Sequence, residues 1–123
     1  MSVPIEIKGT TKKPRSPYIV VTRKKGSEYD EVSLSSGFIF KPYSDVTVSI
    51  LKRKFPLFPE YEKAWTYDIN DDIEIVKEMK LGAKLYVTSY SKADYVANDT
   101  YSLLGFSEAY EKMISLCDNK EDE

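Results

Sequence analysis

Histidine is absent from this 123-residue chain, cysteine occurs once, at Cys117, and only three of the 18 basic side chains are arginine. The missing histidine removes the usual general base, the usual activator of a serine or cysteine nucleophile and the commonest zinc ligand. Histidine-dependent triad hydrolases are therefore excluded. Chemistry built on lysine, tyrosine or carboxylates stays open, but those residue types populate any surface. The lack of arginine weakens bidentate recognition of phosphates, for which the planar guanidinium is suited. Long apolar runs are lacking too. None approaches the roughly 20 residues needed to span a bilayer, and "MSVPIEIKGTTKK" has no apolar stretch resembling a secretion signal. With 20 acidic against 18 basic groups the net charge is −2, which gives no whole-domain field toward nucleic acid or anionic lipid.

A hydrophobic content of 41% with 13% aromatics is enough for a packed core, and the length fits one domain of about 100 to 150 residues. The expectation is a single domain over 1–117 followed by an acidic, solvated tail, "DNKEDE", over 118–123. "PYIVVT" and "EVSLSSGFIF" flank the polar turn "RKKGSEYDE", with Gly26 in it, and together read as a hairpin. Gly37 marks a bulge or tight turn, and "KPYSD" is a loop punctuated by Pro42 and Asp45. In "DVTVSI", Val46, Val48 and Ile50 share one face while Thr47 and Ser49 take the other, as in a half-solvated antiparallel strand. "LKRKFPLFPEYEKAWTY" carries Pro56 and Pro59, which argues for an edge strand or loop rather than a central strand. Its Phe55, Leu57, Phe58 and Trp65 are expected to cover one end of the core.

"NDDIEIVKEMKLG" reads as a helix over about 71–81, with Asn70 or Asp71 as N-cap, Asp71 and Glu74 as a capping box and Gly82 at the C-terminal cap. "AKLYVTSYS" alternates as a strand with one buried face, and "DYVANDTY" as a weaker one. A final helix over about 103–117 has Phe106, Ala109, Tyr110, Met113 and Cys117 on its apolar stripe. The pattern predicts a mainly β domain, an antiparallel sandwich or barrel-like sheet, with one internal and one C-terminal helix.

Few motifs carry chemistry. Asp68, Asn70 and Asp72 superficially resemble a calcium loop, but Ile73 stands where glycine is required and Met79 where the bidentate glutamate belongs, so helix capping accounts for these acids. No metal or cofactor set is evident. The basic clusters "KKPR", "RKK" and "KRK" read as solvated turns that block aggregation, or as a stripe binding nucleic acid with nearby Tyr18, Tyr29 and Phe55 stacking on bases. Of these, Lys52, Arg53 and Lys54 are the candidate interaction surface. Ten tyrosines are many for this length, and an exposed cluster would suit protein binding. Cys117 reads either as a small buried apolar residue or as half of a bridge whose partner lies elsewhere.

"DTYSLLGFSEAYEKMISLC" resembles the C-terminal signature of the invasion-associated protein B family. "SPYIVVT", "EVSLSSGFIFK", "FPLF" with Ala64 and Trp65, and "IVKEMKLGAKLYV" resemble successive blocks of that family in the same order, over roughly 3–117. The resemblance implies a non-enzymatic bacterial protein of the periplasm or cell surface, mainly β with a C-terminal helix, linked to host-cell invasion or envelope functions and acting on a protein partner. It also implies a signal peptide and a cysteine-bearing first strand ahead of this chain, so that Met1 is an artificial or processed start. Cys117 would then pin the last helix to the first strand by a disulfide whose partner is absent here, stabilising the fold by up to about 5 kcal/mol for a loop of about 100 residues. Ala93 and Asp94 depart from the glycine-containing basic turn of family members. The competing expectations are a cytoplasmic nucleic-acid-binding or assembly subunit that uses the lysine turns, and, further off, a carboxylate-dependent hydrolase.

Overall fold

The computed structural model of the chain describes residues 2–8, 15–24 and 29–121, and the side chains of 15–23 and 29–116 among them. Eight strands form one antiparallel sheet: β1 (Ser2–Lys8), β2 (Tyr18–Lys24), β3 (Asp30–Ser35), β4 (Val46–Ile50), β5 (Arg53–Glu60), β6 (Lys63–Thr66), β7 (Lys84–Tyr90) and β8 (Val96–Ser102). Helix α1 (Ile69–Leu81) connects β6 to β7, and α2 (Phe106–Glu121) closes the described chain. The spatial order is β1-β2-β3-β6-β5-β4-β7-β8. The sheet is curled into a half-barrel, so of the two expected architectures the barrel-like one is found.

Period-two alternation decides which face is inside. Val46, Val48 and Ile50 of β4, Leu85 and Val87 of β7, and Val32 and Leu34 of β3 are all buried, while their neighbours point outward. The inner face joins Ile75, Val76 and Met79 of α1 and Phe106 and Met113 of α2 in a single apolar cluster. Half-burying a strand in this way stabilises by roughly 25 cal/mol for each Å² of apolar surface removed from water, and it fixes register, since a one-residue slip would turn every inward side chain out.

Several expectations need correction. β5 is not an edge: it lies between β4 and β6. Its prolines are tolerated because Arg53 to Leu57 pair with β4 while Leu57 to Glu60 pair with β6, so only Leu57 has a partner on both sides. Pro56 and Pro59 each have an open side toward which a missing N–H loses nothing. Phe55 and Leu57 are core residues as expected, but Phe58 and Trp65 are half-buried on the outer face, where they pair across β5 and β6. α1 is capped by Asp68, which accepts from the Asp71 amide at 3.0 Å, rather than by Asn70 or Asp71. Gly82 does end α1, but in extended backbone; a Cβ there would sit 2.9 Å from Ile50 Cγ2, so close packing rather than a left-handed turn demands glycine.

α2 starts three residues later than expected, behind Gly105 with φ +83°, and runs four residues into the stretch read as a tail. Ala109 is exposed rather than part of the buried stripe. α2 packs beside β1, a strand the sequence reading did not anticipate. The Gly26 turn and the side chain of Cys117 lie outside the described residues.

Candidate interaction surface

The outer face carries an aromatic strip built by β5 and β6. Register places Phe58 opposite Trp65, with ring centroids 6.0 Å apart, and Tyr67 follows at 5.5 Å from Phe58. Beside this strip the segment 36–45 crosses from β3 to β4. It is anchored by Phe40, 2% exposed, whose amide donates to the Tyr61 carbonyl at 2.7 Å; Lys41 N–H donates to Tyr90 O at 2.8 Å and Lys92 N–H to Ile39 O at 2.9 Å. These three bonds lock the crossover against both the β5–β6 turn and the end of β7. The walls between them are thus set by the fold before any partner arrives.

Two grooves result. The first, about 580 Å³, is walled by Ile39, Pro42, Tyr43, Pro59, Tyr61 and Tyr67, with Asp45, Glu60 and Lys92 at its rim. The second, about 400 Å³ and more open, runs past Tyr29, Trp65 and Ile69 between Glu31, Asp68 and Asp72. Both include Phe58 and Glu60, so the two grooves adjoin there, and they are taken together as the trough. Tyr43 is fully exposed and Tyr61 is 79% exposed. Both hold left-handed backbone, at φ +63° and +57°, a conformation that costs a bulky L-residue about 1–2 kcal/mol. Tyr61 occupies the first position of a two-residue hairpin turn, where glycine or asparagine is the unstrained choice.

Electrostatics give the trough an acidic lining. The Tyr67 hydroxyl donates to the Asp45 carboxylate, and that bond, ahead of desolvation and the Asp45 charge, raises the phenol pKa above its ordinary value. Asp72 is the buried carboxylate of the group. Desolvation raises its pKa, against the lowering effect of two hydrogen bonds it accepts, from Val32 N–H at 3.0 Å and from Thr66 Oγ1 at 2.8 Å. Those bonds tie α1 to β3 and β6. Asp68 is held at the helix cap. Among the described residues no group of three or more metal-ligating side chains comes together, and no helix is long and apolar enough to cross a membrane.

The lysine-rich turn stands elsewhere. Lys52, Arg53 and Lys54 are all exposed around the β4–β5 turn, roughly 20 Å along β5 from Glu60 at about 3.3 Å per residue. Arg53 donates to Glu74 at 3.2 Å and Glu78 at 3.1 Å, and its guanidinium lies 5.0 Å from the Phe55 ring centroid. It fastens α1 to the sheet and leaves Lys52 and Lys54 as the outward cations of that turn. The turn at Ala93 and Asp94 has Asp94 in left-handed backbone at φ +63°, ion-paired to Lys41 at 3.3 Å.

Sequence reasoning missed the trough because its walls come from residues 39–45, 58–61, 67 and 92, which only the sheet order brings together. Clustering of Tyr61, Tyr67, Phe58 and Trp65 within ten residues was the available signal. No family model, curated protein or solved structure matches this chain.

Proposed function

We propose that this domain acts by non-covalent binding of a protein partner through the Tyr43–Tyr61–Tyr67 trough, with no chemistry of its own, in the bacterial envelope. One observation carries the binding reading: two highly exposed tyrosines in the lining of one groove are held in strained backbone. Strain of this kind persists where surrounding structure enforces it, and it clusters at ligand clamps. Tyrosine offers a large rigid contact area at low entropic cost. Against catalysis stands the employment of Asp72, the buried carboxylate of the trough, as an acceptor that joins α1 to β3 and β6. The envelope setting, and a bridge from Cys117 to a cysteine outside this chain, rest on the ordered family resemblance over 3–117.

The test is crosslinking and capture from native envelope with wild-type protein and with Tyr43→Ala/Tyr61→Ala, the bound proteins being identified by mass spectrometry. One or more envelope proteins recovered by the wild type and lost from the variant is the expected result. Recovery of cytosolic partners alone overturns the localisation, and equal recovery by both proteins overturns the trough as the contact. Intact mass with and without reduction, on protein from its natural compartment, tests the bridge; a free thiol at Cys117 rejects it.

A further inference from the structure

We infer that the segment received by the trough is an extended, cationic stretch of peptide chain, its lysine or arginine side chains seated between tyrosine rings and carboxylates. This rests on the reading of the trough as a protein-binding site and adds the chemistry of the occupant. Asp45, Glu60, Glu31 and Asp68 line the two grooves in addition to the buried Asp72, while Lys92 is the one basic side chain on their walls among the described residues. Among the described residues Asp45, Glu60 and Asp68 make no ion pair: Asp45 accepts from the Tyr67 hydroxyl and Asp68 from a helix amide, and neither bond supplies positive charge. Lys63 faces Glu60 across the β5–β6 pair without an ion pair to it. In a concave site, carboxylates such as Asp45, Glu60 and Asp68 attract cations and repel acidic segments.

The rings supply the second half of the recognition. A cation over an aromatic face within about 6 Å is attracted by the ring quadrupole, and a neighbouring carboxylate adds charge-assisted hydrogen bonds. The same arrangement is already used inside this fold. Arg53 lies over Phe55 while bonding Glu78, and Lys80 Nζ sits 3.8 Å from the Tyr110 ring centroid, whose hydroxyl donates to Asp30. Exposed Tyr67, bonded to Asp45, and exposed Tyr61, next in the chain to Glu60, present ring and carboxylate outward with no ion-paired cation among the described residues. Two grooves adjoin at Phe58 and Glu60, which suits an extended segment reaching across both better than a compact small molecule.

Trp65 is the only tryptophan of the chain and lines the second groove, so its emission reports occupancy directly. Full-length protein is titrated with a short peptide alternating proline and arginine, with its glutamine and glutamate counterparts, and with a neutral chitin oligosaccharide. Expected are binding of the arginine peptide at least about tenfold tighter than the other three, and a further loss of about three- to fivefold in Glu60→Gln. Equal binding of the arginine and glutamine peptides overturns the inference, as does preference for the oligosaccharide or an unchanged affinity in Glu60→Gln with native circular dichroism. The two levels of proposal separate cleanly. Loss of envelope partners in Tyr43→Ala/Tyr61→Ala with no arginine preference would leave the contact surface standing and remove its cationic occupant. Unchanged partner capture in that variant would remove the contact surface itself.

Discussion

Arg15 and Asp99, 84 residues apart, meet in a two-pronged ion pair of 2.7 and 3.1 Å, with side chains only 9% and 0% exposed. Arg15 also donates to the Ser36 carbonyl at 2.6 Å, so one guanidinium joins the approach to β2, the exit of β3 and β8 across the mouth of the curled sheet. The hydrogen bond to Asp99 is the leading cause of the raised Arg15 pKa. Breaking a buried pair by removing one partner leaves an uncompensated charge, which costs about 3–5 kcal/mol. Asp99→Ala should lose stability on that scale in urea unfolding, whereas the double change Arg15→Met/Asp99→Leu should lose clearly less. Equal losses would show that packing, not charge compensation, dominates there.

Two tyrosines, Tyr110 half-buried and Tyr101 buried, should respond oppositely to loss of their hydroxyls. Tyr110 OH donates to Asp30 Oδ2 at 2.6 Å and accepts from Arg23 at 3.3 Å, fastening α2 to β2 and β3. Burial first, then the Asp30 bond, pushes its pKa up to about 12. Tyr101 is fully buried, and its hydroxyl has no hydrogen-bond partner among the described residues. Tyr110→Phe should therefore destabilise by about 1–2 kcal/mol, while Tyr101→Phe should be neutral or stabilising by about 1 kcal/mol. Because the folded state of Tyr110 holds its proton more tightly than the unfolded chain, stability should fall as pH rises from the ordinary phenol range toward about 12. Tyr110→Phe should flatten that fall, as read by thermal unfolding across alkaline pH.

Asp72 makes the corresponding prediction in acid. Its pKa is raised, chiefly by desolvation, so folding favours its protonated form. Stability contributed by this group is fully present below the unfolded carboxylate pKa and declines as pH rises through the folded one, opposite in sign to an ordinary salt-bridged aspartate. Asp72→Asn keeps an oxygen for Val32 N–H and Thr66 while removing the charge, and it should match or exceed wild-type stability at pH 7. Asp72→Ala should lose about 1–3 kcal/mol, because both donors are orphaned. Chemical denaturation at pH 4 and 7 distinguishes these outcomes.

The sequence disclosed those parts of the fold that follow from local periodicity. β4, β7 and α1 announce themselves by alternation, caps and helical spacing. β1 was missed although Val3, Ile5 and Ile7 alternate with Pro4, Glu6 and Lys8, because a proline and two charged residues within it obscure the pattern. The error at β5 had a different origin, since a proline is excluded from a central strand only where both neighbours pair with it, and pairing length is a property of β4 and β6. The trough was hidden for the same reason. Nothing in Tyr43 or Tyr61 as residue types signals left-handed backbone, for which glycine or asparagine is the usual marker.

That mismatch between residue and backbone leads to a trade between stability and binding. Tyr61→Asn puts a residue at home in left-handed backbone at φ +57°, and should raise stability by about 0.5–1 kcal/mol while weakening partner capture. A fall in melting temperature for this variant would mean that the Tyr61 ring contributes more to folding than its strain costs.

Contact through the trough is tested most directly by site-specific photo-crosslinking in cells, with a benzophenone amino acid replacing Tyr61 in one strain and Leu51, exposed at the opposite end of β5, in another. The expected result is one dominant protein adduct from position 61 and none of the same mass from position 51. An adduct from position 51 with none from position 61 would contradict binding through this surface and return attention to the lysine turn.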